Sequence, residues 1–274
     1  MDNFTDLTSM QPDGDQSEIE LSHFAKLTGI FIKPGKTFEK ISKSPPRTID
    51  WFIPVIIQFA LILSIQFYRT NNSQVNYQFK QKQIEIIQKS INQSVERGLI
   101  TKAQADDQIN KMRNRISVPQ AASQIVPFYI VMLFFLFVFF FFMAGVYYLV
   151  IIKVLKGEGE YRHVLVATGL SAYITIFERI LAITLTLILG KPIWNMSIAS
   201  FLSSDLTTIR GFIFSYLDIF HIWGYIVLSI GLAKLFKSSS LAKYYFTVFG
   251  IWILGGLLSS FYGKVIPHFL SPRG

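Results

Sequence analysis

The chain has 274 residues, 51% of them hydrophobic and only 16% charged, against roughly 25% charged in an average soluble domain. Phenylalanine occurs 26 times and the mean hydropathy is +0.41. A soluble fold of this size needs more polar surface than that, so composition argues against a cytosolic enzyme and against a disordered or fibrous chain. Without cysteine there are no disulfides, thiolate zinc sites, nucleophilic cysteines, prenyl groups or palmitoyl groups. A net charge of +9 is unusual on so apolar a chain, and its distribution is informative.

Residues 1–20 hold six acids (Asp2, Asp6, Asp13, Asp15, Glu18, Glu20) and no Lys or Arg. That is the opposite of a signal peptide's basic start, and the segment is expected to be a polar, disordered tail. Residues 21–50 are basic, with Lys26, Lys33, Lys36, Lys40, Lys43 and Arg47. Leu21, Phe24, Ala25, Thr28 and Phe31 fall on one helical face, and Pro34-Gly35 interrupts it. An apolar stripe beside lysines suits a helix lying on anionic lipid headgroups. It equally suits a helix packed on the protein's own bundle, and the two are compatible.

A bilayer core about 30 Å thick needs roughly 20 apolar helical residues. Five stretches meet or approach this: 51–68, 125–152, 164–189, 212–233 and 244–263. All are too continuous for alternating barrel strands. The expected fold is an all-α membrane protein with five transmembrane helices, an N-terminal amphipathic segment and a helical extramembrane insert between the first and second spans. The insert, 69–124, carries nine basic and four acidic residues. Ile84, Ile87, Ile91 and Val95 form a thin helical stripe, Gly98 breaks it, and Thr101 opens a capped second helix. Its basic surface lacks the aromatic interleaving of a nucleic-acid site. Residues 264–274 form a C-terminal tail.

Lys and Arg in short loops orient membrane helices. Segments 22–50, 153–163 and 234–243 carry six, three and three of them, while 190–211 and 264–274 carry two each. The expected arrangement is a cytoplasmic N-terminus and an outer C-terminus; the long insert counts the other way.

Glu178 and Arg179 interrupt the third span, and Asp218 and His221 the fourth. A lone charge at mid-bilayer costs roughly 2.5–3.5 kcal/mol on insertion scales, so each needs a partner. Neighbouring helical residues point about 100° apart, so Glu178 and Arg179 do not pair with each other. Arg179–Asp218 is the first expected pair, with His221 one turn beyond on the same face. Such a cluster is either a proton or ion relay or a polar substrate site, or it is structural, gluing helices together or marking a helix break at an aqueous notch. In the last span, Gly255, Gly256, Ser259, Ser260 and Gly263 give small-xxx-small pairs that allow close packing, within the bundle or between protomers. No zincin, nucleophile-elbow, Walker or dinucleotide motif is present. The four histidines, His23, His163, His221 and His268, are scattered. No catalytic residue, cofactor or metal site is expected.

Taken in order, these features resemble the Yip family (Ypt-interacting proteins, also written YIPF). An amphipathic segment leads through PGKTFEKISKSPP into Asp50-Trp51-Phe52-Ile53-Pro54 and then five spans. Eukaryotic members carry D-L-[WY]-G-P at the start of the first span; Asp50, the aromatic Phe52 and Pro54 match, while Trp51 and Ile53 replace Leu and Gly. The bacterial branch is similar in the F-x-x-P-x-K-T-F phrase at Phe31 to Phe38, the Lys/Gln-rich insert, and LDIFHIWGYIVLSIGLA at Leu217 to Ala233. The resemblance covers about residues 24–263. It implies a non-enzymatic protein of the bacterial inner membrane that organises membrane or recruits a protein partner, as eukaryotic relatives do in vesicle formation and in binding prenylated Rab-type GTPases. Two alternatives stand beside it. One is a small transporter, channel or lipid-moving protein using Glu178, Arg179, Asp218 and His221. The other is an accessory subunit acting through the insert.

Overall fold

The computed structural model describes residues 21–117, 122–190, 193, 195–202 and 209–269. The acidic tail 1–20 lies outside the described residues. Two short helices open the described chain: α1 (His23–Ile32), capped by the Ser22 hydroxyl, which accepts from Ala25 N, and α2 (Pro34–Ile41), started by a proline at its first position, where the missing N–H costs nothing. Then follow α3 (Ile49–Asn71), α4 (Ser73–Glu96), α5 (Lys102–Ser117), α6 (Ala122–Lys153) and α7 (Tyr161–Leu189). The chain closes with α8 (Ile198–Leu202), α9 (Ile209–Tyr216), α10 (Ile219–Leu235) and α11 (Leu241–Phe269).

Four helices among the described residues are long and apolar enough to cross a membrane: Ile49–Tyr68, Val126–Lys153, Tyr161–Leu189 and Leu241–Leu258. They correspond to the first, second, third and fifth expected spans. The fourth is not continuous. The chain leaves helical geometry at Leu217 and Asp218, splitting it into α9 and α10. With 17 residues, α10 is about 25 Å long at 1.5 Å per residue, short of the bilayer core. The break is satisfied internally: Ile198 N donates to Leu217 O (3.1 Å) and Ser197 bridges to Asp218. At the C-terminus, α11 continues to Phe269, past the expected boundary at 263.

In the insert, α4 and α5 pack on each other. Gly98 takes a positive φ of 69° at the turn. Thr101 and Gln104 form a reciprocal cap, with Thr101 N donating to Gln104 Oε1 and Gln104 N to Thr101 Oγ1, as a T-x-x-Q sequence does.

The main core joins α7, α10, α6 and α11 to α1 and α2. α7 and α10 run antiparallel: Phe177 meets Phe220 and His163 meets Phe236. α2 lies along α10, with the Phe38 ring seated where Gly231 has no side chain. One residue on, Lys234 Nζ donates to Glu39 Oε2 at 2.9 Å. That hydrogen bond, with the lysine charge, holds the Glu39 carboxyl below its ordinary value. α3 crosses α7 almost backbone to backbone, since a Cβ on Gly169 would collide with Trp51 Cα. Pro54 lies in the second turn of α3 rather than at its start, because the helix begins at Ile49. Its missing N–H therefore removes the bond to Asp50 O.

Candidate functional site

Two buried polar clusters stand out. The first forms where α1 meets the start of α3. Asp50, 1% exposed, accepts from Lys26 Nζ at 2.6 Å on Oδ2 and from His23 Nδ1 at 3.0 Å on Oδ1. A carboxylate only accepts, so Nδ1 is the protonated ring nitrogen. His23 Nε2 is hydrogen-bonded to the Tyr173 hydroxyl of α7 at 2.6 Å. Three helices are tied together by one carboxylate.

This corrects two expectations. Lys26 is 3% exposed and belongs to the interior, not to the basic collar. Lys33, Lys36, Lys40, Lys43 and Arg47 are exposed. The stripe of Leu21, Phe24, Ala25, Thr28 and Phe31 does not turn inward as a whole: Leu21 and Phe31 pack against the core, but Phe24 is 71% exposed and Thr28 is also exposed. The buried face runs through Lys26 and Ile30, with His23 and Leu27 beside it. Phe31 turns in against Phe177 and Trp223. α1 thus packs through a polar face neutralised by Asp50 and presents Phe24 and Ile32 outward. His23 lies one turn from Lys26, an i, i+3 spacing that marks a shared face. Of the motif positions, Asp50 holds the cluster and Pro54 is buried. Phe52 is part of an aromatic run, its ring 6.0 Å from Phe137, while Trp51 stacks on Phe140 at 5.8 Å.

The second cluster sits at the broken helix. Asp218 is the N-cap of α10: Oδ1 accepts from Phe220 N at 2.9 Å and His221 N at 3.3 Å. Glu178, facing it from α7, accepts from Met196 N on Oε1 at 3.2 Å. His221 Nδ1 lies 3.3 Å from Asp218 Oδ2 and 3.7 Å from Glu178 Oε2. Asn195, Ser197 and Ser200 form a hydrogen-bonded knot next to it. Glu178, Asp218 and His221 are therefore brought together as the sequence suggests, but the partner choice differs. Among the described residues no ion pair joins Arg179 to Asp218. Glu178 is the residue of α7 that is buried against α10, and Arg179, 100° round the helix, is only part-buried with its Nε unpaired.

Of the small residues in α11, Gly256 packs: a Cβ there would collide with the Tyr216 hydroxyl of α9. Gly255 is exposed with nothing near it. Ser259, Ser260 and Gly263 lie in the part of α11 whose surroundings are outside the description.

Comparison with curated proteins returns no match, and neither does comparison with solved structures. The family model of the Yip1 domain matches residues 28–262. That stretch runs from within α1 nearly to the end of α11 and takes in the Asp50 motif, the insert and the broken fourth span, so the chain belongs to the Yip family.

Proposed function

We propose that this protein is a non-enzymatic organiser of a bacterial inner membrane, presenting its α1–α2 surface to anionic lipid and to a protein partner on the cytoplasmic side. The observation that carries the reading is the two-sidedness of α1. One face is fastened to the bundle through Asp50, while Phe24 and Ile32 are turned outward beside exposed lysines. An outward apolar face next to cations is what an interfacial helix requires. Juxtamembrane lysines contribute up to about 1 kcal/mol each at an anionic surface. The loop charge bias supports a cytoplasmic position for this surface. The exposed Gly255 on α11 offers close approach to a second copy.

Full-length protein reconstituted in nanodiscs of mixed phosphatidylserine and phosphatidylcholine is expected to co-purify with an excess of the anionic lipid. Changing Lys33, Lys36 and Lys40 together to Gln should remove most of that excess without altering elution volume. Retention of the excess by the triple variant would show that the collar does not read lipid charge.

A second reading, a small transporter, channel or lipid-moving protein, draws support from the discontinuous α9–α10 helix. Broken helices with charged groups at their ends build substrate sites in many transporters. Liposomes containing the protein would then move ions, solute or labelled lipid, and Glu178→Gln would reduce that flux at least tenfold. Flux equal to that of empty liposomes removes this reading and leaves the first.

A further inference from the structure

The cluster of Glu178, Asp218 and His221 is over-supplied with acceptors. Asp218 uses Oδ1 to cap α10, which already offsets the positive end of that helix. Its second oxygen, Oδ2, is buried with no hydrogen-bond partner, in a residue only 1% exposed. It faces His221 Nδ1 at 3.3 Å, close enough for an ion pair with a protonated imidazole. Glu178 likewise spends Oε1 on Met196 N and points Oε2 at the same imidazole nitrogen, 3.7 Å away. Oδ2 and Oε2 both face Nδ1, and Glu178, Asp218 and His221 offer ligand atoms that all lie within 4.8 Å of one another.

We propose that these three residues form a binding site for a divalent cation of the zinc class, with one coordination position left open. Two observations support it independently: the buried Asp218 oxygen without a hydrogen-bond partner, and the spacing of the ligand atoms. Bonds of about 2.0–2.1 Å in tetrahedral geometry put neighbouring ligands about 3.3 Å apart. The separations of 3.3 and 3.7 Å from His221 Nδ1 require only a small closure. An imidazole nitrogen among the ligands selects zinc-like ions over calcium or magnesium, which take oxygen. Two carboxylates neutralise the ion's double charge, so the loaded site is compatible with a membrane interior. The second carboxylate oxygen of each acid is fixed by a backbone N–H, the kind of outer support that orients metal ligands. His221, whose side chain is 36% exposed, gives a route of entry. The site joins α7 to α10 across the break, so an ion here would lock the discontinuous helix. The proposal stands whether or not anything is transported.

Chelator-stripped, tag-free full-length protein in detergent is expected to take up about one Zn2+ per chain by elemental analysis. Co2+ in its place should give the intense visible absorption of a low-coordinate site. Asp218→Asn keeps the helix cap and Glu178→Gln keeps the acceptor for Met196, so both variants should elute as wild type. Each should weaken Zn2+ binding at least tenfold, and the two together should abolish it. Wild-type zinc content no higher than that of the double variant, or a Co2+ spectrum no different from free six-coordinate Co2+, would overturn the proposal. The wild-type cobalt spectrum decides the matter even if a variant fails to fold.

Discussion

Asp50→Ala is expected to destabilise the protein by about 3–5 kcal/mol, the cost of leaving one partner of a buried ion pair uncompensated. The substitution strands the Lys26 ammonium, which is 3% exposed, and removes the acceptor for His23 Nδ1. The loss should appear as a lowered thermal midpoint in detergent and as release of α1, seen as faster proteolysis between residues 21 and 33. A second substitution separates the causes. Lys26→Met in the Asp50→Ala background removes the stranded charge and keeps the apolar stem. It should recover most of the loss, because replacing a buried pair with apolar groups of similar volume is often close to neutral. Lys26→Met alone leaves Asp50 with His23 and should cost less than Asp50→Ala. If Asp50→Ala leaves both midpoint and proteolysis unchanged, the cluster does not hold α1. A double variant no better than Asp50→Ala would mean that the carboxylate acts through His23 and Tyr173 instead.

Long apolar runs carry their own evidence, which is why α3, α6, α7 and α11 were readable at 51–68, 125–152, 164–189 and 244–263. Local chemistry was readable too: Gly98 ends α4, and Thr101 with Gln104 starts the next helix. The polar residues left a helix break open as one reading, but its position was not legible, because hydropathy averages over a window and two non-helical residues hardly change it. Asp218 read as a charge needing a partner, whereas its position before FHIWGY is that of an N-cap. The inward face of α1 was hidden for a different reason. Apolar periodicity finds the buried side of a helix only where that side is apolar; here Lys26, neutralised by Asp50, lies inside and Phe24 and Ile32 are exposed. Which of Glu178 and Arg179 faces α10 depends on helix rotation, which adjacent charges do not reveal.

Phe38→Ala is expected to cost about 3–5 kcal/mol as a large-to-small change in the core and to free α2 from α10. Phe38 is fully buried, and with Thr37 and Ile41 it supplies the buried face of α2. Its ring occupies the notch at Gly231, where a Cβ would sit 2.7 Å from the ring edge. Gly231→Ala alone should therefore cost about 1–3 kcal/mol by overpacking. In the Phe38→Ala background the same methyl group meets a cavity and should cost little or even restore some stability. This coupling, measured as a double-mutant cycle, assigns the energy to the ring-in-notch contact rather than to the Lys234–Glu39 bond at the surface. The absence of native cysteine gives a direct readout: Thr37→Cys places a single thiol at a buried position of α2. At about 1.4 kcal/mol per factor of ten, Phe38→Ala should speed its alkylation roughly 100-fold or more. Additive costs together with unchanged alkylation would mean that α2 is retained by α1 and its Asp50 cluster. The two short N-terminal helices would then dock as one unit with a single fastening.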